Sequence, residues 1–197
     1  MPKSTRTIAI IAAGLLSLGA VGLAVGDSDD DDHEKQENGG SWLKSRPDVA
    51  PVMNAAYGEE CGSCHLAYQP GLLPALDWAR IMGPDALANH YGDDASLPDA
   101  LRGEIASYLV ANSADQGTHS RSRAFSFVGD AAADATLPRI TQTRYFVNKH
   151  DEIPKKWVAG NQEVGSFSQC NSCHRGANEG IYDEEQVSIP GHGRWED

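Results

Sequence analysis

Every cysteine in this chain of 197 residues lies in one of two Cys-x-x-Cys-His runs, Cys61-Gly-Ser-Cys64-His65 and Cys170-Asn-Ser-Cys173-His174. That run is the attachment signature of c-type haem. Two thiols, two residues apart, bond to the two vinyl groups on one edge of a haem, and the histidine that follows is placed under the iron as its proximal ligand. The chain must therefore fold around two large apolar discs. Cys61, Cys64, Cys170 and Cys173 are the expected covalent anchors, with His65 and His174 on the irons. The other readings of paired cysteines are a zinc site, a thioredoxin-like redox pair or two structural disulfides. A four-cysteine zinc site needs no histidine directly after each pair. A thioredoxin-like motif needs an alternating strand–helix pattern, which the sequence lacks. Cysteine is scarce, and both pairs are followed at once by histidine, which favours two covalent haems.

The N-terminus reads as an export signal. Lys3 and Arg6 precede an apolar run over residues 8–25, which ends in the small residues Ala24-Val25-Gly26. Cleavage near Gly26 is the expected outcome. The run is long for a signal peptide, so an uncleaved anchor is the alternative, although its many glycines and alanines make it a mediocre membrane span. Export agrees with the cysteines, because bacteria attach c-type haem outside the cytoplasm. Losing residues 1–26 removes Lys3 and Arg6 and no acidic residue, so 28 acidic side chains then face 14 basic ones, a formal charge of −14. Such a surface argues against nucleic acid or anionic lipid as partners. It suits a partner with a basic docking face, with an encounter weakened by salt.

Five segments follow from the pattern: a signal peptide over 1–26, an acidic disordered leader over 27–45, a haem domain over 46–115, a connector over 116–138 and a second haem domain over 139–197. The leader opens Asp-Ser-Asp-Asp-Asp-Asp and has no apolar periodicity. Residues 46–57 are a helical candidate leading into the first motif, with Met53 expected in the core. Residues 73–82 suit a short helix stopped by Gly83-Pro84. Residues 98–112 carry the clearest helical pattern. Pro98 opens it, Asp99 favours its positive end, and Leu101, Ile105 and Leu109 form one stripe. The connector contains Arg121-Ser-Arg123 flanked by Phe125 and Phe127. Residues 141–150 form a further helical candidate, and the tail past Pro190 reads as irregular. No useful strand alternation appears. The expected fold is mainly α, with a first domain similar to a small class I cytochrome c and a short, irregular second one.

The residue on the other face of each iron separates electron transfer from small-molecule chemistry. For the first haem, His90 occupies the loop before the helix at Pro98, where small cytochromes carry a methionine. Met82 and an open position are the alternatives. For the second, His150 follows Tyr145 and Phe146, which suit packing on a porphyrin. His119 and His192 are its competitors. Arg80, Arg139 and Arg144 are candidates for pairing with propionates, and Tyr91, Phe146 and Trp157 for lining haem edges.

Several stretches together resemble the dihaem cytochrome c (DHC) family of bacteria. They are Cys61–His65 with Leu-Ala-Tyr-Gln-Pro-Gly after it, Trp78-Ala-Arg-Ile-Met82, His90-Tyr-Gly-Asp-Asp-Ala-Ser-Leu97, Arg144-Tyr-Phe-Val-Asn-Lys-His150, Cys170–His174 and Ile189-Pro-Gly191. The resemblance covers most of residues 50–191. It implies two low-potential, bis-histidine haems, His65 with His90 and His174 with His150. It also implies an oxygen-binding monohaem cytochrome c as the acceptor, with a membrane cytochrome b as a plausible donor. The expectation is a periplasmic electron carrier rather than an enzyme, with membrane contact only if the N-terminal segment stays. A small dihaem subunit of a periplasmic reductase and a dihaem peroxidase are the alternatives.

Overall fold

Prolines and caps decide where the helices begin. Pro47 and Pro51 keep the chain non-helical up to Asn54, whose side chain accepts a hydrogen bond from Tyr57 N–H at 2.7 Å and starts α1 (Ala55–Gly62). The first helix therefore lies later than residues 46–57, and it carries Cys61 in its last turn. Met53, just before the cap, is 81% exposed and not in the core. The helices α2 (Ala75–Ile81), α3 (Pro84–Ala88) and α4 (Asp99–Ala111) each follow a proline or begin with one. Gly83-Pro84 ends α2 as expected and at the same time opens α3, with Pro84 as its first residue.

The computed structural model describes residues 46–127 and 136–195. The expected signal peptide and acidic leader lie outside the described residues. The chain is mainly helical, as its sequence predicts. Helix α4 packs on α2 and α1. Tyr57, Leu73, Trp78, Ile81, Met82, Leu87, Ile105 and Leu109 form the first apolar cluster. The stripe expected on α4 is seen in Ile105 and Leu109, both almost fully buried. On α2 it is Trp78 and Ile81 that turn inward, while Leu76 stays half-exposed.

The later part is built from short pieces: α5 (Ser120–Phe125), α6 (Arg144–His150), α7 (Lys155–Val158) and α8 (Cys170–Cys173). A two-stranded antiparallel ribbon, β1 (Ser188–Ile189) and β2 (Gly193–Arg194), pairs Ser188 with Arg194 and Ile189 with Gly193. The sequence shows neither α5 nor the ribbon. Helix α5 is one and a half turns of mostly polar residues, and it is fixed by burial of Ser122 and Phe125 against the 3-10 turn Pro70–Leu72. The ribbon is too short to carry an alternating pattern.

Residues 42–197 group as one unit. A second apolar cluster joins Val49, Leu72, Ala114, Phe125, Phe146, Ala177 and Tyr182, so side chains from both sides of the 116–138 interval share it. Backbone bonds tie the ends together. Asp48 N–H and Val49 N–H both donate to Gly180 O, at 2.8 and 3.1 Å, and Tyr182 N–H donates to the Asp48 carboxylate at 2.7 Å. Gly180 has φ +73°, and a Cβ there would run into Val49 O, so the position requires glycine on two counts.

Candidate functional site

The first site is assembled by a helix end and a tight turn. Helix α1 delivers Cys61 and stops at Ser63, whose hydroxyl donates to Glu60 O at 2.8 Å. His65 follows at the surface of the core. Its Nδ1 lies 2.7 Å from Leu66 O, a group that only accepts, so Nδ1 carries the proton and Nε2 is left with a free lone pair. His90 comes from the opposite side on a two-residue reverse turn. His90 N–H donates to Asp93 O at 2.7 Å and Asp93 N–H donates back to His90 O at 3.3 Å. Between them Tyr91 and Gly92 have φ +58° and +115°. Positive φ at both central residues suits a tight hairpin turn and is costly for a tyrosine. Tyr91 is held there from outside: its hydroxyl donates to Pro138 O, and the Arg139 guanidinium sits 4.1 Å above its ring. The turn brings the His90 ring to 6.3 Å from the His65 ring, centre to centre, with planes 18° apart.

The second site is built from two helix ends. Thr143 caps α6, accepting from Phe146 N–H at 3.3 Å, and His150 is the last residue of that helix. Its Nδ1 lies 2.9 Å from Phe146 O, so here too Nε2 is the free nitrogen. Phe146 stacks directly on His150 at 3.9 Å and 8°, which locks the ring plane. His174 ends the single turn of α8, held by its N–H to Cys170 O at 2.8 Å and by a bridge to Val187. The His150 and His174 rings are 6.2 Å apart, with planes at 67°. Around them lies an apolar cavity lined by residues such as Phe125, Phe167, Cys170, Val187 and Ile189.

The donor set fits a haem iron. An imidazole nitrogen bonds a first-row metal at roughly 2.0–2.1 Å, so two imidazoles in line on one ion have ring centres roughly 6–6.5 Å apart. Both pairs meet that spacing. Nδ1 of His90 and of His174 is buried with no hydrogen-bond partner among the described residues. Burial also keeps these rings neutral, the form that ligates. Desolvation lowers the pKa of His90 and of His150, and it pushes that of His174 down to about 4, helped by nearby His150 and Arg121. Among the described residues no group of three or more His, Cys, Asp or Glu side chains is arranged to hold a bare metal ion. Two histidines per site suit a metal that arrives with four nitrogens of its own.

The other candidates fall elsewhere. Met82 is buried in the first apolar cluster at the end of α2. His119 caps α5, and His192 stacks on Trp157 at 4.3 Å. Trp157 thus faces His192, and Phe146 lies against His150. Arg80 bonds Thr136 O at 2.8 Å and approaches Asp77 at 3.9 Å; Arg144 is exposed at the start of α6.

Arg121 is the residue that sequence reasoning placed in a mere connector. It donates to Tyr145 Oη and to Tyr182 O, both at 3.1 Å, and lies 3.8 Å from Asp48. Its basic run just ahead of Phe125 and Phe127 was the available signal. A fixed cation beside the second site favours the less positive state of the iron there. Arg121→Leu should lower that site's midpoint potential by about 50 mV, equivalent to roughly 1 kcal/mol for a largely buried charge. Redox titration checks this, and an unchanged or raised potential would contradict it.

The family model described as "Dihaem cytochrome c" matches residues 57–182. The X-ray structure of a dihaem cytochrome c from Shewanella baltica OS155 is 43% identical, with a TM-score of 0.59. The alignment covers 73% of this chain and 98% of that one. A dihaem cytochrome c from Rhodobacter sphaeroides is 39% identical, with a TM-score of 0.55, over 68% of this chain and 100% of that one. A second structure of that organism's protein is 37% identical with a TM-score of 0.52, over 67% and 99% of the two chains. No curated protein matches. Two haem c groups with their irons are the cofactors, and they supply reversible one-electron chemistry. The chain belongs to the dihaem cytochrome c family.

Proposed function

We propose that this chain is an exported electron carrier in which both irons are closed by histidine on each face. His65 with His90 hold the first, and His174 with His150 the second. The observation that carries this reading is the spacing of the two imidazole pairs, 6.3 and 6.2 Å between ring centres. With both axial positions taken, no face is left for a substrate, and the protein makes and breaks no substrate bonds. The thiols of Cys61, Cys64, Cys170 and Cys173 anchor the porphyrins. The Leu66 and Phe146 carbonyls fix the proton on Nδ1 of His65 and His150, and so aim Nε2 inward.

The charge and the N-terminal segment support the rest of the reading. An apolar run behind Lys3 and Arg6 directs the chain to the periplasm. The acidic surface suits a basic docking face on a redox protein, for which an oxygen-binding monohaem cytochrome c is the acceptor and a membrane cytochrome b the donor. The test is a reductive titration under carbon monoxide. The expected result is uptake of two electrons per chain with no carbon monoxide spectrum at either iron. Prompt formation of a carbon monoxide complex would show an open face and contradict the proposal.

A further inference from the structure

Between the two histidine pairs runs a continuous strap of side chains that neither site needs for holding a porphyrin. Tyr68 stacks on His65, with ring centres 5.0 Å apart and planes at 22°. Its hydroxyl crosses to the second motif and donates to Ser168 O at 2.8 Å, and Cys170 Sγ approaches the same carbonyl at 3.7 Å. The next residue, Gln69, is completely buried. Its Oε1 accepts from Tyr182 Oη at 2.6 Å, and its Nε2 donates to Ala177 O at 2.6 Å. Tyr182 in turn lies edge-on to His174, ring centres 5.3 Å apart at 65°. From His65 to His174 every link is a covalent bond, a short hydrogen bond or a ring contact.

We propose that Tyr68, Gln69 and Tyr182 form the internal bridge along which an electron crosses between the two iron sites, with Tyr68 as the shared entry. The inference rests on the two-iron reading above. In each crossing one electron leaves one iron, which is oxidised, and the other iron is reduced. No bond forms or breaks, and the phenols keep their protons throughout.

Burial argues for a role beyond filling space. A buried glutamine is tolerated when its amide is hydrogen-bonded, and here both ends are spent on tying one motif to the other. The partners are distant in sequence, 108 residues for Ala177 and 113 for Tyr182, so the strap also fixes one site relative to the other.

The test uses the complete holoprotein and three variants, Tyr68→Leu, Tyr68→Phe and Tyr182→Phe. Tyr68→Leu removes both branches. Tyr68→Phe keeps the stack on His65 and loses the bond to Ser168. Tyr182→Phe loses only the bond to Gln69. Half-reduced protein is perturbed by a light flash, and the rate of exchange between the sites is read optically, with driving force taken from each variant's own titration. That titration also reads how far reduction of one site shifts the potential of the other. Tyr68→Leu should slow exchange by about tenfold and diminish the mutual shift, with each phenylalanine variant slowing it by about threefold. Low-spin spectra in all three variants keep the two-iron reading intact, so unchanged exchange there overturns the bridge alone. Absence of exchange in the parent would overturn the reading itself. If Tyr68→Leu fails to fold, the Tyr68→Phe/Tyr182→Phe double variant decides, and a rate within about twofold of the parent overturns the bridge.

Discussion

The His90→Ala and His150→Ala variants will each turn one haem from low-spin to high-spin and leave the other unchanged. The change follows from what each ring faces. His90 has its turn, Tyr91 and Arg139 behind it and His65 in front. His150 is clamped by Phe146 and faces His174. No other described histidine is poised to replace either. His119 sits at the start of α5, and His192 is stacked on Trp157. Added imidazole should enter the space left by the ring and restore the low-spin spectrum, which a merely misfolded variant would not do. His119→Ala, His192→Ala and Met82→Leu should leave both haems low-spin. Met82→Leu changes core shape but little volume, so its stability cost should stay below about 1.5 kcal/mol. A high-spin signal from His192→Ala, or two low-spin haems in His150→Ala, would move the second ligand elsewhere.

The second large effect is on folding. In the Cys170→Ala/Cys173→Ala variant, α6, α7 and α8 should lose their amide protection while α4 keeps it. These three helices have seven, four and four residues, far below the roughly 12–15 that an isolated helix needs. Their apolar side chains face the cavity around His150 and His174 as much as they face each other. Porphyrin filling that space would hold them, as ligand binding to a folded state stabilises it. Helix α4, in contrast, has 13 residues and packs on α1 and α2 through Ile105 and Leu109. Hydrogen exchange should show amides of residues 144–174 at least about 100-fold faster, equivalent to about 2.7 kcal/mol. Uniform loss across α4 would mean that the two ends fold as one unit. Unchanged protection would mean that the later part needs no covalent haem.

What the sequence reveals about this molecule is what depends on neighbours in the chain. Two thiols and a histidine within five residues are a local pattern, and so is the stripe of α4. The position of α1 was displaced because apolar spacing over 46–57 looked helical, whereas Pro47, Pro51 and the Asn54 cap set the start at Ala55. Helix α5 carries almost no apolar periodicity of its own; Ser122 is buried because the backbone at Gly71 comes within contact distance of it. The contacts of Arg121, Gln69 and Tyr182 are not local, since their partners lie 24 to 134 residues away in the chain. The facing of His150 and His174, to which the aromatics before His150 and the family resemblance pointed, is also built by long-range packing. Two helix ends meet there beside the apolar cluster that contains Phe146 and Tyr182.

The two ring pairs differ in one respect that spectroscopy reads directly. His65 and His90 have nearly parallel planes, 18° apart, whereas His150 and His174 stand at 67°. Parallel imidazoles split the two iron orbitals of π symmetry, and nearly perpendicular ones leave them close in energy. Electron paramagnetic resonance of the oxidised protein is therefore the most direct measurement of the whole account. It should show two low-spin ferric signals of equal weight, one ordinary rhombic signal from the first site and one of much larger anisotropy from the second. A stable high-spin ferric signal in the native protein would contradict closure of both irons by histidine.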